Sequence, residues 1–287
     1  MSDRNANAVL AGSRMIGVNL MVGDVDRSAA FFIRFLKAAP ITDGKSGPAF
    51  DAGECILWLK PRSGPAPTAN DRTAMMTFQV KDIDEASAAL RARGVQVGDV
   101  FRYEVGATAE FRDPDGHSLA LYEPSADALA WPSGKMLAKI VNGRVTPVLV
   151  YIFLFVPDAE AAYSFYHHEL GLPYLERSPC RRGSVEHEQG VVKYDVGSLM
   201  LTTHLVEGPD DSVLGKQVRD THFLSELVPV FAAGEFRNVS AALKQWSIGA
   251  IKRGQPPTRE LVFTDRFGRP LLVRETSSAL GRPSEVA

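Results

Sequence analysis

Histidine is the side chain best suited to ligate a metal or carry a proton near neutral pH, and this 287-residue chain has six. Five fall in its second half: His167, His168, His187, His204 and His222. Their spacing carries no metalloprotease pattern, because His187 stands between Glu186 and Glu188 with no second histidine one helical turn away. His167 and His168 lie in FYHHELG, whose spacing is helical and whose polar side faces outward, so they read as surface residues. A His204–His222 pair with a carboxylate is a conceivable metal site, although a lone strand histidine is more often a hydrogen-bonded or exposed residue. Cys180 sits beside Arg181 and Arg182, which favour the thiolate, but no partner histidine supports a nucleophile there. Asp210 and Asp211 follow a Gly-Pro pair in EGPDDS and read as a solvated turn.

The rest of the composition narrows the classes of function. Thirty-two basic residues against 34 acidic give a net charge of −2, which leaves no electrostatic footprint for nucleic acid. The longest apolar run, VLVYIFLFV at 148–156, is half the length of a membrane helix and reads as a buried strand. Two cysteines imply no disulfide framework. The opening MSDRNANAVLAGSR lacks the charged-then-apolar order of a signal peptide. A cytoplasmic protein with no membrane partner is expected.

The elements that must position any site come as a repeat. MIGVNLMVGDVDRSAAFFIRFL (15–36) reads strand, polar turn, helix, with Ala29, Phe32, Ile33 and Leu36 on one helical face. The same sentence returns at 73–95, 148–171 and 226–250. Each strand–helix pair is followed by further strands, giving βαβββ four times. In FRDPDGHSLALYEP (111–124), Pro114 and Gly116 make a turn between two strands.

The DPDG hairpin, the helix-end motifs FFIRFL and FYHHELG, and the order of elements together resemble the vicinal oxygen chelate superfamily, which holds glyoxalases, bleomycin-resistance proteins and extradiol dioxygenases. The resemblance implies an α+β fold of two tandem modules, each of two βαβββ units forming a U-shaped mixed sheet around a cleft. The modules are placed at 14–125 and 146–277, with a linker at 126–145 whose AKIV segment reads equally as strand or helix.

In metal-dependent members the ligands come from the first and last strands of each unit. The positions that correspond here are Gly17, Met75, Ala120, Tyr151, Val228 and Leu272, none with the family's metal-binding character. The fourth position of the first module falls near Leu57 or Leu59, and that of the second on Thr202, Thr203 or His204. No metal and no cofactor are therefore expected. Alternation along the strands instead lines the first cleft with Asn19, Met21, Thr77, Gln79, Ser118 and Tyr122, and Trp58 or a neighbour adds an aromatic wall. The second cleft is lined by Tyr151, Phe153, Phe155, Val230 and Arg274. Glu123 and Glu275 have the opposite parity and point away.

Neutral hydrogen-bonding groups among aromatic and aliphatic walls suit an organic ligand. The expected function is metal-independent binding of a hydrophobic or aromatic small molecule, with Asn19, Trp58, Thr77, Gln79, Tyr122, Tyr151, Phe153 and Arg274 as the contacts; the resemblance is to antibiotic-binding resistance proteins. The alternative is a glyoxalase-like enzyme of the lyase, isomerase or dioxygenase class, metal-free or with displaced ligands, using Tyr151 and His204 as acid or base. Convergence of Tyr151, His204 and Arg274 would favour the enzyme; dispersal would favour the binder. The second cleft, with the longer loops at 176–190 and 206–225, is the preferred one if a single cleft is active. The resemblance also allows a homodimer.

Overall fold

The structure is a computed structural model that describes residues 8–41, 47–63, 74–141, 143, 147–182, 185–205, 227–233, 235–254 and 259–276; the side chains of 179–182 and 185–189 lie outside that description. The four units follow in chain order. The first has β1 (Arg14–Val22), α1 (Val25–Leu36), β2 (Ala49–Asp51) and β3 (Ile56–Pro61). The second has β4 (Ala74–Gln79), α2 (Ile83–Ala92), β5 (Phe101–Tyr103), β6 (Gly106–Arg112) and β7 (Ser118–Pro124). Two linker helices come next, α3 (Ala126–Ala130) and α4 (Pro132–Val141), so the AKIV segment is helical. The third unit has β8 (Val148–Val156), α5 (Ala159–Tyr163) running into a π-helical turn (Ser164–Glu169), β9 (Tyr174–Arg182), β10 (Val185–Asp195) and β11 (Met200–Leu205). The fourth has β12 (Leu227–Ala233), α6 (Phe236–Gln245), β13 (Ala250–Arg253), β14 (Glu260–Thr264) and β15 (Pro270–Glu275).

The first helix of each of three units starts on the same device. Asp24, Asp82 and Asp158 each accept a hydrogen bond from the backbone N–H three residues on, at 2.9, 2.8 and 2.9 Å. That bond satisfies one of the helix's unpaired N-terminal donors. In the fourth unit Glu235 takes the place of the aspartate and makes no such bond.

The strands form two mixed sheets, and each sheet draws on both halves of the chain. Sheet A has the order β13-β14-β15-β12-β1-β3-β2, joining the first and fourth units; sheet B has the order β5-β6-β7-β4-β8-β11-β10-β9, joining the second and third. The seams are antiparallel, β1 on β12 and β4 on β8. The expected α+β fold of two mixed sheets is present, but the units that share a sheet are the first with the fourth and the second with the third, not consecutive ones. Strand periodicity says which face a residue occupies, but the choice of partner rests on long-range packing that periodicity does not contain.

Contacts on the helix side tie consecutive units together instead. In the hairpin, Gly116 takes φ +90°, a conformation that glycine adopts without a Cβ penalty. The turn aims Asp115 at the start of α1, where its carboxylate accepts from Gly23 N (2.8 Å) and Ser28 Oγ (2.6 Å). Arg27 and Arg62 add charge-assisted bonds at 3.3 Å. In the fourth unit Asp265 accepts from Tyr166 Oη at 2.7 Å, which locks that hairpin onto the third unit's π-helical turn. The buried Arg269 guanidinium bonds both Asp265 and the Phe155 carbonyl. One apolar cluster, including Leu20, Phe32, Phe78, Leu121, Ile152, Phe165, Phe231 and Val273, runs through all four units beneath the helices. Among the described residues no helix is long and apolar enough to cross a membrane.

Candidate functional site

Each sheet turns one face toward the helices and leaves the other as its inner face. On sheet A, Val18, Leu20, Leu57, Leu59, Phe231 and Val273 go to the common core. The pairing register then sets Gly17, Asn19, Trp58, Val228, Val230, Leu272 and Arg274 on the inner face. A separate cluster forms there from Val228, Val230 and Leu272, with Ile16, Trp58 and Val262 packed against it, and every member comes from a strand of the sheet. The guanidinium of Arg274 lies 4.9 Å from the centre of the Trp58 ring. Glu260, opposite on β14, holds that guanidinium at 3.0 and 2.9 Å. Asn19 is 7% exposed, and its Oδ1 has no hydrogen-bond partner among the described residues. A buried unpartnered amide oxygen is costly, so this face offers a free acceptor beside an indole and an ion pair.

The inner face of sheet B is more aromatic. Tyr122 and Tyr151 stand edge to face at 6.0 Å, Tyr151 and Phe153 follow at 5.5 Å, and His204 lies 6.3 Å from Phe153 and 5.7 Å from Phe155. Thr77, Gln79 and Thr202 share the face through their pairings with Tyr151, Tyr122 and Phe153. The oxygens Thr77 Oγ1, Gln79 Oε1 and Thr202 Oγ1 are buried without partners among the described residues. Helix α4 is packed on this face: Met136, Leu137 and Ile140 cluster with Tyr122, Val148, Val150, Tyr151 and Met200. A polar clamp closes its N-terminal end. The Glu176 carboxylate accepts from Ser133 N (3.1 Å), Ser133 Oγ (2.7 Å) and Lys193 Nζ (2.7 Å), and Lys193 lies 5.5 Å from the Trp131 ring.

The expected cleft groupings are therefore redistributed. Asn19, Met21 and Trp58 share sheet A with Val230 and Arg274, whereas Thr77, Gln79, Ser118 and Tyr122 share sheet B with Tyr151, Phe153 and Phe155. The polar trio does not converge: Tyr151 and His204 belong to sheet B and Arg274 to sheet A. Along sheet B, His204 pairs with Phe155, four residues from Tyr151, a spacing of about 13 Å in a strand. Tyr151 is 4% exposed. Burial, reinforced by Tyr122, pushes its phenol well above the ordinary range, so it stays protonated and is no base near neutral pH. Tyr122 is pushed up for the same first reason and donates to the Val105 carbonyl at 2.8 Å. His204 Nδ1 lies 2.9 Å from the Leu205 carbonyl, a contact that sets Nδ1–H as the donor when the ring is neutral.

The metal positions of the family do not fit a metal here. A Cβ on Gly17 would collide with the Ile56 carbonyl oxygen and stand 2.5 Å from Trp58 Cζ3. The indole thus fills the first-strand ligand position of sheet A, and Trp58, rather than Leu57 or Leu59, is the β3 residue on the inner face. In sheet B the corresponding side chains are Met75, Ala120 and a protonated Tyr151, with Thr202 and His204 inward and Thr203 paired to the core strand residue Leu154. Among the described residues no three His, Cys, Asp or Glu side chains are grouped to hold a metal ion. His222, Asp210 and Asp211, and the side chains of Cys180 and His187, lie outside the described residues. His167 packs on Tyr163 at 5.0 Å and bonds the Leu172 carbonyl at 2.9 Å, a structural role for a residue expected at the surface.

Sequence reasoning missed Glu260, Ser133, Glu176 and Lys193. The Glu260–Arg274 pair was visible in principle as opposite charges on the two arms of one hairpin. The clamp joins residues 43 and 60 positions apart and left no local signal.

Residues 14–121 match the profile of the Glyoxalase/Bleomycin resistance protein/Dioxygenase superfamily. Glyoxalase I from Zea mays has the same fold over 92% of this chain and 92% of its own, with a TM-score of 0.59 at 14% identity. A putative dioxygenase from Bacillus subtilis aligns over 91% of this chain and 86% of its own, with a TM-score of 0.56 at 13% identity. TnmS3, an antibiotic binding protein from a Streptomyces species, aligns over 37% of this chain and 92% of its own at 24% identity, with a TM-score of 0.31. No curated protein matches the chain.

Proposed function

We propose that this chain, whose residues 14–121 match the profile of the Glyoxalase/Bleomycin resistance protein/Dioxygenase superfamily, binds a hydrophobic or aromatic small molecule without a metal, on the inner face of sheet A. The observation that carries this reading is the exchange at Gly17. Where the family implies a metal-ligating side chain, this chain has a glycine with the Trp58 indole lying over it. A metal point has become an aromatic wall, flanked by the unpartnered Asn19 oxygen and by Arg274 with Glu260.

Such a face recognises a flat ring by stacking on the indole. It orients the ring through one donor to Asn19 Oδ1 and one polar group at the Arg274–Glu260 pair. The ligand itself is held and not transformed, because the acid–base candidates Tyr151 and His204 are on the other sheet. The test is a thermal-shift screen of aromatic compounds on chelator-treated protein, repeated on Trp58→Phe and Asn19→Ala. Hits that stabilise the chelated wild type and lose their shift in Asn19→Ala support the reading. Hits that need added metal, or that turn over into product, overturn it.

A further inference from the structure

Sheet A ends at β13, and on its helix side that edge carries a pocket. A cavity of about 210 Å³ lies between the start of α6 and β13, lined by Phe236, Arg237 and Ser240 of the helix and by Lys252, Arg253 and Arg259 of the sheet edge. We propose that this pocket is an anion site that takes a phosphate group, free or esterified to a small molecule. Lys252 pairs with Leu261, a residue of the common core, so it stands on the helix side of the sheet, away from Asn19 and Trp58. The site is therefore distinct from the ligand face proposed above. Its volume admits a phosphate with a few carbon atoms attached and falls below the roughly 300 Å³ at which drug-sized sites begin.

Three features carry this. First, the charge of the lining is one-sided. Arg237 and Lys252 are exposed and take part in no ion pair among the described residues. Second, the remaining guanidinium is already oriented. Glu275 holds Arg259 by its Nε at 2.7 Å and by Nη2, and the Arg259 guanidinium lies 5.2 Å from the centre of the buried Phe236 ring. Nη1 is left to donate to an anion, in the fork geometry that suits phosphate oxygens. Ser240 adds a hydroxyl donor three residues after Arg237, on the same side of α6. Third, α6 starts in a way that favours an anion. Glu235 makes no side-chain cap bond, and the first turn holds no acidic residue but does hold Arg237. A cation at the positive end of a ten-residue helix costs stability, and a bound anion beside it offsets that cost.

Isothermal titration of inorganic phosphate and of glycerol 3-phosphate into the intact chain tests this, at low ionic strength and in a buffer free of other polyvalent anions. At least one probe should bind saturably, and Arg237→Ala and Lys252→Ala should each weaken it about fivefold or more. Both side chains are exposed, so the variants should keep the wild-type fold, as read by circular dichroism. Arg34→Ala removes an exposed charge from α1 and should leave the affinity unchanged. Tighter binding of glycerol 3-phosphate supports the site and identifies an esterified ligand; equal or weaker binding than inorganic phosphate supports it and identifies the free ion. Failure of both probes to bind overturns the proposal. Binding that Arg237→Ala and Lys252→Ala leave intact also overturns it, and so does an equal loss in Arg34→Ala, which is general attraction of charge. The readout uses neither Asn19 nor Trp58, so its outcome is separate from that of the aromatic screen.

Discussion

The inner face of sheet A is lined by its own strands, whereas that of sheet B carries a helix from the linker. The two faces come from the same repeated unit. Their difference teaches that a repeat sets where a cleft lies and leaves its contents to single residues. In sheet A the decisive residue is Gly17, whose missing side chain admits Trp58. In sheet B it is the run of apolar residues in α4, which turns a connector into a cover.

The largest expected effect comes from placing a histidine at the first-strand position that the resemblance gives to a metal ligand, in each sheet. Gly17→His drives a ring into the Ile56 carbonyl and Trp58, so chemical denaturation should show a loss of about 3 kcal/mol. Met75→His replaces a half-buried side chain of similar size, and the loss should stay below about 1.5 kcal/mol. Equal losses would break the contrast between the two first strands. Next in size, Leu137→Ala empties a site that is 1% exposed under α4 and should cost about 2 kcal/mol or more by the same measurement. A neutral result would mean that the helix does not seal sheet B.

The clamp gives a smaller, pH-dependent effect. Burial alone would raise the Glu176 carboxyl, but hydrogen bonds from Lys193 and Ser133 outweigh it and hold the group below the usual carboxylate range. A carboxyl held low when folded stabilises fully above its unfolded pKa, near about 4.3, and loses that contribution as pH falls through the folded value. Wild type and Glu176→Gln should therefore differ by about 1 kcal/mol at neutral pH. The gap should close in acid, as followed by denaturation at a series of pH values. The smallest stability effect is expected for Glu260→Gln. Its ion pair is a quarter exposed and contributes less than about 1 kcal/mol. The same change should alter ligand affinity severalfold in titrations, because it releases Arg274 beside Trp58.

Much of the fold was legible. The repeated order of strand, polar turn and helix was read from the sequence, and so was the Pro114–Gly116 turn that now carries the lock on α1. Alternation placed Asn19, Thr77, Gln79, Tyr122, Tyr151, Phe153 and Arg274 on inner faces, which follows from strand geometry alone. The partnership of the sheets was not legible, because β1 with β12 and β4 with β8 read as well by periodicity as β1 with β4. Trp58 was visible only as an aromatic near the site; its place over Gly17 depends on the register of β3 against β1. The seat of α4 was hidden for a related reason. Its apolar stripe says that it packs, and nothing in the stripe says on which sheet.

The most direct test of the central claim is isothermal titration of the best thermal-shift hit into chelator-treated wild type and Asn19→Ala. Binding should be unchanged by chelation and weakened about tenfold or more by loss of the Asn19 acceptor, in line with a hydrogen bond to a buried group. Binding that disappears with the chelator, or that Asn19→Ala leaves intact, would contradict it.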